Sequence, residues 1–460
     1  MLKRYIGGKA FYQRLFAVMM PILIQNVITN FVSLLDNVMV GQVGTESMSG
    51  VAIVNQLFFV FFLSIFGGLA GAGILIAQFY GKGDREGVRQ TVRLKIWIAA
   101  AAVLVFTAVF SLWGDTLIGL FLHQGQEALD LEATLRHGRD YMAVMLLQMP
   151  PFALSQIYAS TLRETGETVL PMRAGIVAVF VNLVFNYILI FGKLGAPAMG
   201  VGGAAAATVL SRVVECLIVL VGSYRRQESA HWARGLFRSL RVPKELQKKV
   251  LLMGLPLLVN ELLWAGGMTT LNQCYSLRGL EVISAMNISQ TVSNLFFCAF
   301  LAMGNATAIM VGQLLGAGEL ERAVDEDRKL IAFALILCVA VGLLMIPVAP
   351  LAPRLYNTTA MVKDLAEKLL LVSAAMMPVH AVCNSCYFTL RSGGKTLITF
   401  VFDSGFVWLL NIPTAYLLVH YTALPIVPLT LTVNALDLLK VALGLILVHR
   451  RAWVKNLVSE

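Results

Sequence analysis

Long apolar stretches recur along the whole chain, and they restrict its fold more than any other feature. Crossing the hydrocarbon core of a bilayer takes roughly 20 apolar residues in a helix, and about twelve stretches here are long enough. Only 13% of the 460 residues are charged, too few to cover the surface of a soluble protein of this size. The sequence therefore predicts an all-α polytopic membrane protein. The predicted spans are 15–40, 51–78, 94–113, 141–162, 169–192, 201–223, 251–275, 286–315, 330–353, 368–390, 397–419 and 427–449.

The net charge of +10 is distributed unequally between the loops on the two sides of the membrane. When the loops are assigned to alternate sides, about 27 Lys and Arg residues fall on one side and about 7 on the other, and basic loops are cytoplasmic. This asymmetry places both termini in the cytoplasm, as expected for a multi-pass protein of the plasma (inner) membrane. Because topology explains the basicity, no nucleic-acid partner is expected.

The two halves of the chain are related by an internal repeat. At an offset of 235 residues the repeat superposes Pro21 on Pro256, Gly44 on Gly279, Glu46 on Glu281, Gln78 on Gln313, Gly81 on Gly316 and Gly83 on Gly318. Each half contains six predicted helices. Because six is even, the second half begins on the same side of the membrane as the first, so the halves are parallel repeats related by an axis along the membrane normal. The predicted organisation is a six-helix lobe at 1–223, a basic cytoplasmic linker at 224–249 and a second six-helix lobe at 250–460.

Residue patterns for catalysis are absent from the sequence. The six histidines are scattered without metal-ligand spacing, and there is no G-x-x-x-x-G-K-[ST] loop to hold nucleotide phosphates. The six cysteines fall within or beside apolar stretches, so they are interpreted as packing thiols. The sequence therefore predicts neither an enzyme nor an organic cofactor.

The first span carries polar residues where the surrounding solvent is lipid. Gln25, Thr29, Ser33 and Asp36 lie on one face at about 100° per residue. Such a face is costly in lipid and is expected to point to the protein interior or to a wet cavity. Pro21 lies in the same helix and can bend it by removing a backbone hydrogen bond. Position alone leaves two readings of Asp36 open: a charge reaching for water, or a functional carboxylate.

Further polar residues lie in later spans. Asn182 and Asn186 are at i and i+4 and share a face of the fifth span, and Thr208 lies in the sixth. Their oxygens can supplement a carboxylate around a small cation, or the amides can bond between helices. The seventh span has Pro256, a second bending position, followed by Glu261. Asp403 and Asp437 in the last two spans are either buried partners or interfacial charges.

Three motifs together resemble the multidrug and toxic compound extrusion (MATE) family. They are P-x14-D-x4-G in the first helix (Pro21, Asp36, Gly41), the Q-x2-G-x-G turn after the second helix and T-L-R-x2-G-x-T after the fourth. The resemblance extends over the whole chain through its repeat. It implies a V-shaped pair of six-helix lobes, and export of amphipathic, often cationic compounds coupled to inward flow of H⁺ or Na⁺.

The resemblance also implies a site. Asp36 matches the coupling-ion aspartate of the family. Asn182 matches the first residue of a family pair, an asparagine and an aspartate four residues later, on the fifth span. Asn186 stands where the family has that aspartate, which is a departure from the pattern. Thr208 matches a ligand position on the sixth span. Glu261 matches a glutamate of a second-lobe cation site, but the tenth predicted span, 368–390, lacks the aspartate that completes that site.

A single carboxylate among neutral amides has to couple ion flow to substrate export without a second carboxylate. It can do so by taking up a proton or by holding Na⁺ together with the neighbouring oxygens. No other metal or cofactor is expected beyond this coupling ion, and the functional unit is expected to be a monomer. The alternative function is a lipid-linked precursor or polysaccharide flippase of related fold. The candidate residues of the substrate cleft are Asn55, Phe58, Phe59, Trp264, Asn287, Gln290 and Asn294.

Overall fold

The computed structural model describes residues 4–41, 45–121, 131–225 and 230–459, without the side chains of residues 33–38, 40, 41, 45 and 46. Helices make up most of this part of the chain, and no strand occurs in it. The helices are α1 Lys9–Gly41, α2 Thr45–Lys82, α3 Arg85–Gly119, α4 Leu131–Met145, α5 Met149–Glu164, α6 Val169–Phe191, α7 Gly200–Arg225, α8 Lys244–Ser276, α9 Leu280–Gly316, α10 Leu320–Val348, α11 Ala360–Ser392, α12 Thr396–Phe400, α13 Ile412–Tyr421, α14 Ile426–Ala435 and α15 Asp437–His449.

These helices provide 12 segments that are long and apolar enough to cross a membrane, which confirms the predicted number. Three spans are composite: α4 with α5, α12 with α13, and α14 with α15. Most helices run beyond the predicted apolar bounds, as α2 does in reaching Lys82. Polar residues such as Lys, Glu and Gln are good helix formers, so a helix continues where the apolar stretch ends.

Each composite span has its own local interruption. Between α4 and α5 a short 3₁₀ turn, Leu146–Gln148, precedes the prolines at the start of α5. Proline lacks a backbone N–H and therefore fits the first turn of a helix rather than its interior. Between α12 and α13 the chain forms two π-helical segments, Val401–Gly405 and Val407–Asn411. Between α14 and α15 only the hydrogen-bond pattern changes, because Leu436 keeps helical dihedral angles (φ −60°, ψ −26°).

The chain divides into two compact units, each discontinuous in sequence. The first comprises the described residues of Met1–Leu23, Ala77–Asp84 and Lys249–Glu460, and the second comprises those of Ile24–Ile76 and Arg85–Lys248. The start of α1 and the end of α2 therefore pack with helices from the second half of the sequence. The predicted division at the 224–249 linker follows the repeat and stays a prediction.

One apolar cluster of the first unit joins α1, α9 and α10. Leu15 of α1, Met303 and Met310 of α9 and Leu330 of α10 are fully buried in it, and Trp453 covers it after α15. The indole N–H of Trp453 donates to the carbonyl oxygen of Val448 at 3.0 Å. Lipid tails are as apolar as these side chains, so close van der Waals packing stabilises the contact rather than removal from water.

Two equivalent turns of the repeat pack against each other inside the first unit. A methyl group added at Gly81 would collide with the backbone carbonyl of Gln313, and one added at Gly316 would collide with that of Gln78. The 235-residue offset relates these positions, so the contact is reciprocal. Small residues allow two backbones to approach this closely. The Q-x2-G-x-G motif therefore holds the ends of α2 and α9 together.

The glutamines of this motif form hydrogen bonds to distant parts of the chain. Gln78 is fully buried, accepts a hydrogen bond from the backbone N–H of Leu457 at 2.7 Å and donates to the carbonyl oxygen of Ser392 at 3.0 Å. Gln313 accepts from Arg14 Nη2 at 3.0 Å. The two glutamines thus connect α2 and α9 to the chain after α15 and to α1.

We expect Gly316→Ala to destabilise the protein by about 1–3 kcal/mol, because the added methyl group has to displace a backbone. Thermal unfolding of the purified protein in detergent measures the loss. Gly202→Ala in α7 is the matched control, since a methyl group there meets open space. Equal melting temperatures for the two variants would contradict the close contact of α2 and α9.

Candidate functional site

The polar face of α1 packs against helices of the second unit. Gln25 accepts a hydrogen bond from Arg163 Nη2 of α5 at 3.2 Å. A methyl group added at Gly175 of α6 would lie 2.5 Å from Gln25 Nε2, so α1 and α6 are neighbours at this level. Asp36 lies in α1, but its side chain, like that of Ser33, is outside the described part of the structure. Its role as the coupling-ion residue stays a prediction.

The structure brings Asn182, Asn186 and Thr208 together between α6 and α7. Asn182 Nδ2 donates to Thr208 Oγ1 at 3.3 Å, and Asn186 Nδ2 donates to Asn182 Oδ1 at 3.2 Å. Both asparagines are buried, with 8% and 2% of their surface exposed. Gly203 lets the helices approach, since a methyl group there would lie 2.6 Å from the backbone of Leu189. These residues form the amide cluster.

The amide cluster contains neutral oxygen and nitrogen groups only. Thr208 also donates to the backbone carbonyl of Ala204 at 3.0 Å, so its hydroxyl oxygen accepts from Asn182 while its proton is used within α7. Amide and hydroxyl oxygens are ligands that hard cations accept. Coordination by Asn182 Oδ1 would require the Asn186 amide to give up its hydrogen bond. The cluster can therefore exchange internal hydrogen bonds for a cation.

A second polar group lies in the first unit, around Asn260 of α8. Asn260 Nδ2 donates to Asp403 Oδ2 at 3.1 Å, and its Oδ1 accepts from the Ser404 hydroxyl at 2.7 Å. The other carboxylate oxygen of Asp403 accepts from Lys440 Nζ of α15 at 2.8 Å. Asp403 is therefore a half-buried partner of groups on two other helices.

Lys440 and His380 were not singled out by the sequence reasoning. Lys440 is only 9% exposed and lies in the middle of an apolar span, the same signal that drew attention to Asp36. His380 lies within α11, and its Nε2 is 3.5 Å from Asp437 Oδ2. Metal-ligand spacing does not mark His380, because its partner Asp437 is distant in sequence. Asp437, like Asp403, is therefore a partner of another helix.

Glu261 and the two prolines lie in continuous helices. Pro21 is inside α1 and Pro256 is inside α8. Glu261 is partly exposed on α8, and Arg391 of α11 and Asp403 act on it electrostatically. A second-lobe cation site at Glu261 stays a prediction.

The candidates for the substrate cleft fall into two classes by burial. Phe58 is fully buried and packs against Phe110, with ring centroids 5.2 Å apart, so it belongs to the aromatic core of the second unit. The remaining six are exposed: Asn55, Phe59, Trp264, Asn287, Gln290 and Asn294. Asn55 accepts a hydrogen bond from the Tyr141 hydroxyl at 3.2 Å, and Gln290 donates to Asn294 at 2.9 Å.

All six cysteines are buried free thiols, which agrees with their interpretation as packing residues. Within the part of the chain that the structure describes, no group of three His, Cys, Asp or Glu side chains could hold a metal ion.

Comparison with known proteins connects this architecture to one family. The MatE family matches residues 21–188 and 256–417. The probable multidrug resistance protein NorM of Thermotoga maritima is 26% identical over 403 residues, which cover 87% of this chain and 84% of that protein. The multidrug resistance protein MdtK of Pectobacterium atrosepticum is 26% identical over 413 residues, which cover 88% and 87%.

Solved structures share the fold. A multidrug resistance MATE family transporter of the MOP superfamily in an outward-facing conformation matches with a TM-score of 0.85 at 20% identity, covering 95% of both chains. A mutant of the Vibrio cholerae MATE transporter VcmN matches with a TM-score of 0.87 at 19% identity, covering 98% of this chain and 99% of that one.

Thr208→Val is expected to cost about 0.5–1.5 kcal/mol, because it removes one hydrogen bond of the buried Asn182 amide. Thr208→Ser keeps the hydroxyl and is the matched control. Thermal unfolding in detergent compares the two variants. If Thr208→Val is as stable as Thr208→Ser, the hydrogen bond between α6 and α7 contributes nothing to the fold.

Proposed function

The chain belongs to the multidrug and toxic compound extrusion (MatE) family, and on this premise we propose that it is a secondary active transporter for amphipathic, often cationic compounds. It exports them in exchange for inward H⁺ or Na⁺ by alternating access. The multidrug resistance relatives NorM and MdtK support this substrate class.

A buried amide cluster inside two membrane spans supports this function most directly. Asn182, Asn186 and Thr208 lie where lipid offers no hydrogen bonds, and polar residues at this depth commonly mark ion or substrate pathways. The contact of Gln25 with Gly175 makes α1 a neighbour of α6. The helix that carries Asp36 therefore packs against the helix that carries the amide cluster.

Coupling requires that the ion change the relative stability of two access states. An ion that binds both states equally shifts nothing, however tightly it binds. Taking up a proton removes the charge of Asp36, and Na⁺ would instead connect Asp36 with oxygens of the amide cluster. Either event changes how α1 interacts with α6 and α7. Pro21 gives α1 a position at which such a change can bend the helix.

The transporter is proposed to lie in the plasma (inner) membrane with both termini in the cytoplasm and to act as a monomer. No catalytic reaction and no cofactor other than the coupling ion forms part of this function. The amphipathic substrate and the bilayer are its partners.

Asp36→Asn is expected to abolish gradient-driven dye efflux from proteoliposomes, because an amide can neither take up the proton nor supply a charge for Na⁺. Ethidium efflux is measured first under an imposed proton gradient and then under a sodium gradient. The gradient that drives wild-type efflux identifies the coupling ion. Asp364→Asn, in an exposed ion pair with Lys368, is the matched control and keeps wild-type efflux.

If Asp36→Asn keeps full gradient-driven efflux, Asp36 is an ordinary charge that reaches for water, and Glu261 becomes the candidate for the coupling residue. Wild-type protein that moves no dye under either gradient would overturn the exporter and favour the flippase.

A further inference from the structure

A cavity of about 410 Å³ lies in the first unit, near the beginnings of α8 and α12. Its lining combines apolar side chains with two lysines, and none of the described residues that line it is acidic. The lining residues are Lys249, Leu252, Met253, Gly394, Lys395, Thr396, Leu397 and Ile398. None of them belongs to the amide cluster or to the ion pairs around Asp403, so this cavity is separate from the groups described above.

The cavity lies where two spans enter the membrane. Lys244–Ser276 and Thr396–Tyr421 are both long and apolar enough to cross a bilayer, and residues near the start of each span line the cavity. Basic side chains at such positions lie at the level of the lipid headgroups, and basic pockets between spans bind anionic headgroups. The position of the cavity therefore suits a ligand that comes from the bilayer.

Neither lysine of the cavity is paired with a carboxylate within the part of the chain that the structure describes. Lys249 Nζ donates to the backbone carbonyl oxygen of Leu457. Lys395 Nζ has no hydrogen bond or ion pair to any described residue, and neither has the hydroxyl group of Thr396. Two ammonium groups without a counter-charge attract an anion, and the hydroxyl group can donate to the same anion.

The C-terminal tail, residues 450–459, holds the two lysines in place. A methyl group added at Gly393 would collide with the carbonyl oxygen of Trp453, and one added at Gly394 would lie 2.8 Å from Leu457 Cδ1. Gly394 has a φ of +74°, a left-handed conformation that favours glycine. The turn that carries Lys395 therefore packs against the same tail to which Lys249 donates.

Exposed apolar side chains continue from the cavity along both spans. Leu252, Leu255 and Val259 lie at i, i+3 and i+7 of α8, and therefore on one face. Leu397 and Val401 are exposed on the other span in the same way, at i and i+4. A ligand with an anionic head and acyl chains matches both the lysines and these apolar rows, whereas a soluble anion matches the lysines alone.

The equivalent positions of the first half do not carry such a pair of cations. The T-L-R-x2-G-x-T motif repeats at an offset of 228 residues, which puts Glu167 at the position of Lys395. At the offset of 235 residues Lys249 corresponds to Arg14, which lies 3.8 Å from Glu326. The unneutralised lysines are therefore a feature of the second half and not a consequence of the repeat.

We propose that this cavity binds one anionic phospholipid of the surrounding bilayer, with the phosphate group on Lys249 and Lys395 and the acyl chains along the apolar rows of both spans. The two lysines repel the cationic headgroup of a zwitterionic phospholipid, so the site selects for net negative charge. The bound lipid links the start of α8 to the start of α12. The site requires only a chain that spans a membrane and does not depend on export.

Native mass spectrometry of the purified protein in detergent tests the site with phosphatidylglycerol as the probe. Wild type is expected to bind one phosphatidylglycerol more tightly than phosphatidylcholine with the same acyl chains. Lys249→Gln combined with Lys395→Gln should weaken this binding by about 25-fold, since each lysine near the headgroups contributes about five-fold. Lys244→Gln combined with Lys248→Gln is the matched control, because it removes the same charge from exposed lysines of α8 outside the cavity.

Lys395→Glu introduces the residue of the first half and decides the matter if the double variant does not fold, because it leaves the bond of Lys249 to the tail intact. It should remove the preference for phosphatidylglycerol. Equal phosphatidylglycerol binding by the cavity variants and the control would overturn the site. Displacement of the lipid by inorganic phosphate would identify a site for a soluble anion and overturn the lipid assignment. Dye efflux is not measured, so failed export would refute the exporter while lipid binding still decides the cavity.

Discussion

Polar side chains within a bilayer must pair with other protein groups, because hydrocarbon offers neither hydrogen bonds nor solvation. In this chain the partners come from different helices, so each pairing also fixes a helix contact. Asp403 accepts from Asn260 of α8 and from Lys440 of α15, and so joins three spans through one carboxylate. Removing any one member leaves a buried charge or donor unsatisfied, which is why such groups constrain the arrangement more strongly than apolar contacts do.

The repeat places the polar clusters of the two halves on equivalent helices. The amide cluster lies on spans five and six, and the charged pairs around Lys440 involve spans eleven and twelve. The 235-residue offset relates Gln25 to Asn260, and each bonds to a charged side chain, Arg163 in one half and Asp403 in the other. Gln25 and Asn260 thus occupy repeat-related positions and differ in the charge of the side chain to which they bond.

The sequence predicted the spans well because hydropathy follows from composition alone. The i and i+4 spacing likewise put Asn182 and Asn186 on one face, as helix geometry requires. The two π-helical segments were not predicted, because one glycine at the end of the first (Gly405) and one proline just after the second (Pro413) do not distinguish a π-helical segment from an ordinary helix. Lys440 and His380 were missed for a different reason. Their partners lie on other helices, and pairing between helices is set by packing, which a local pattern does not contain.

The chemistry of the amide cluster leaves the identity of the coupling ion open. Asn182, Asn186 and Thr208 each carry a side-chain oxygen, and such oxygens suit a hard cation as well as a hydrogen-bond network around a protonated carboxyl group. Both H⁺ and Na⁺ therefore agree with the coupling proposed for Asp36. The ion that couples is decided by which one binds the two access states unequally, since equal binding shifts no equilibrium.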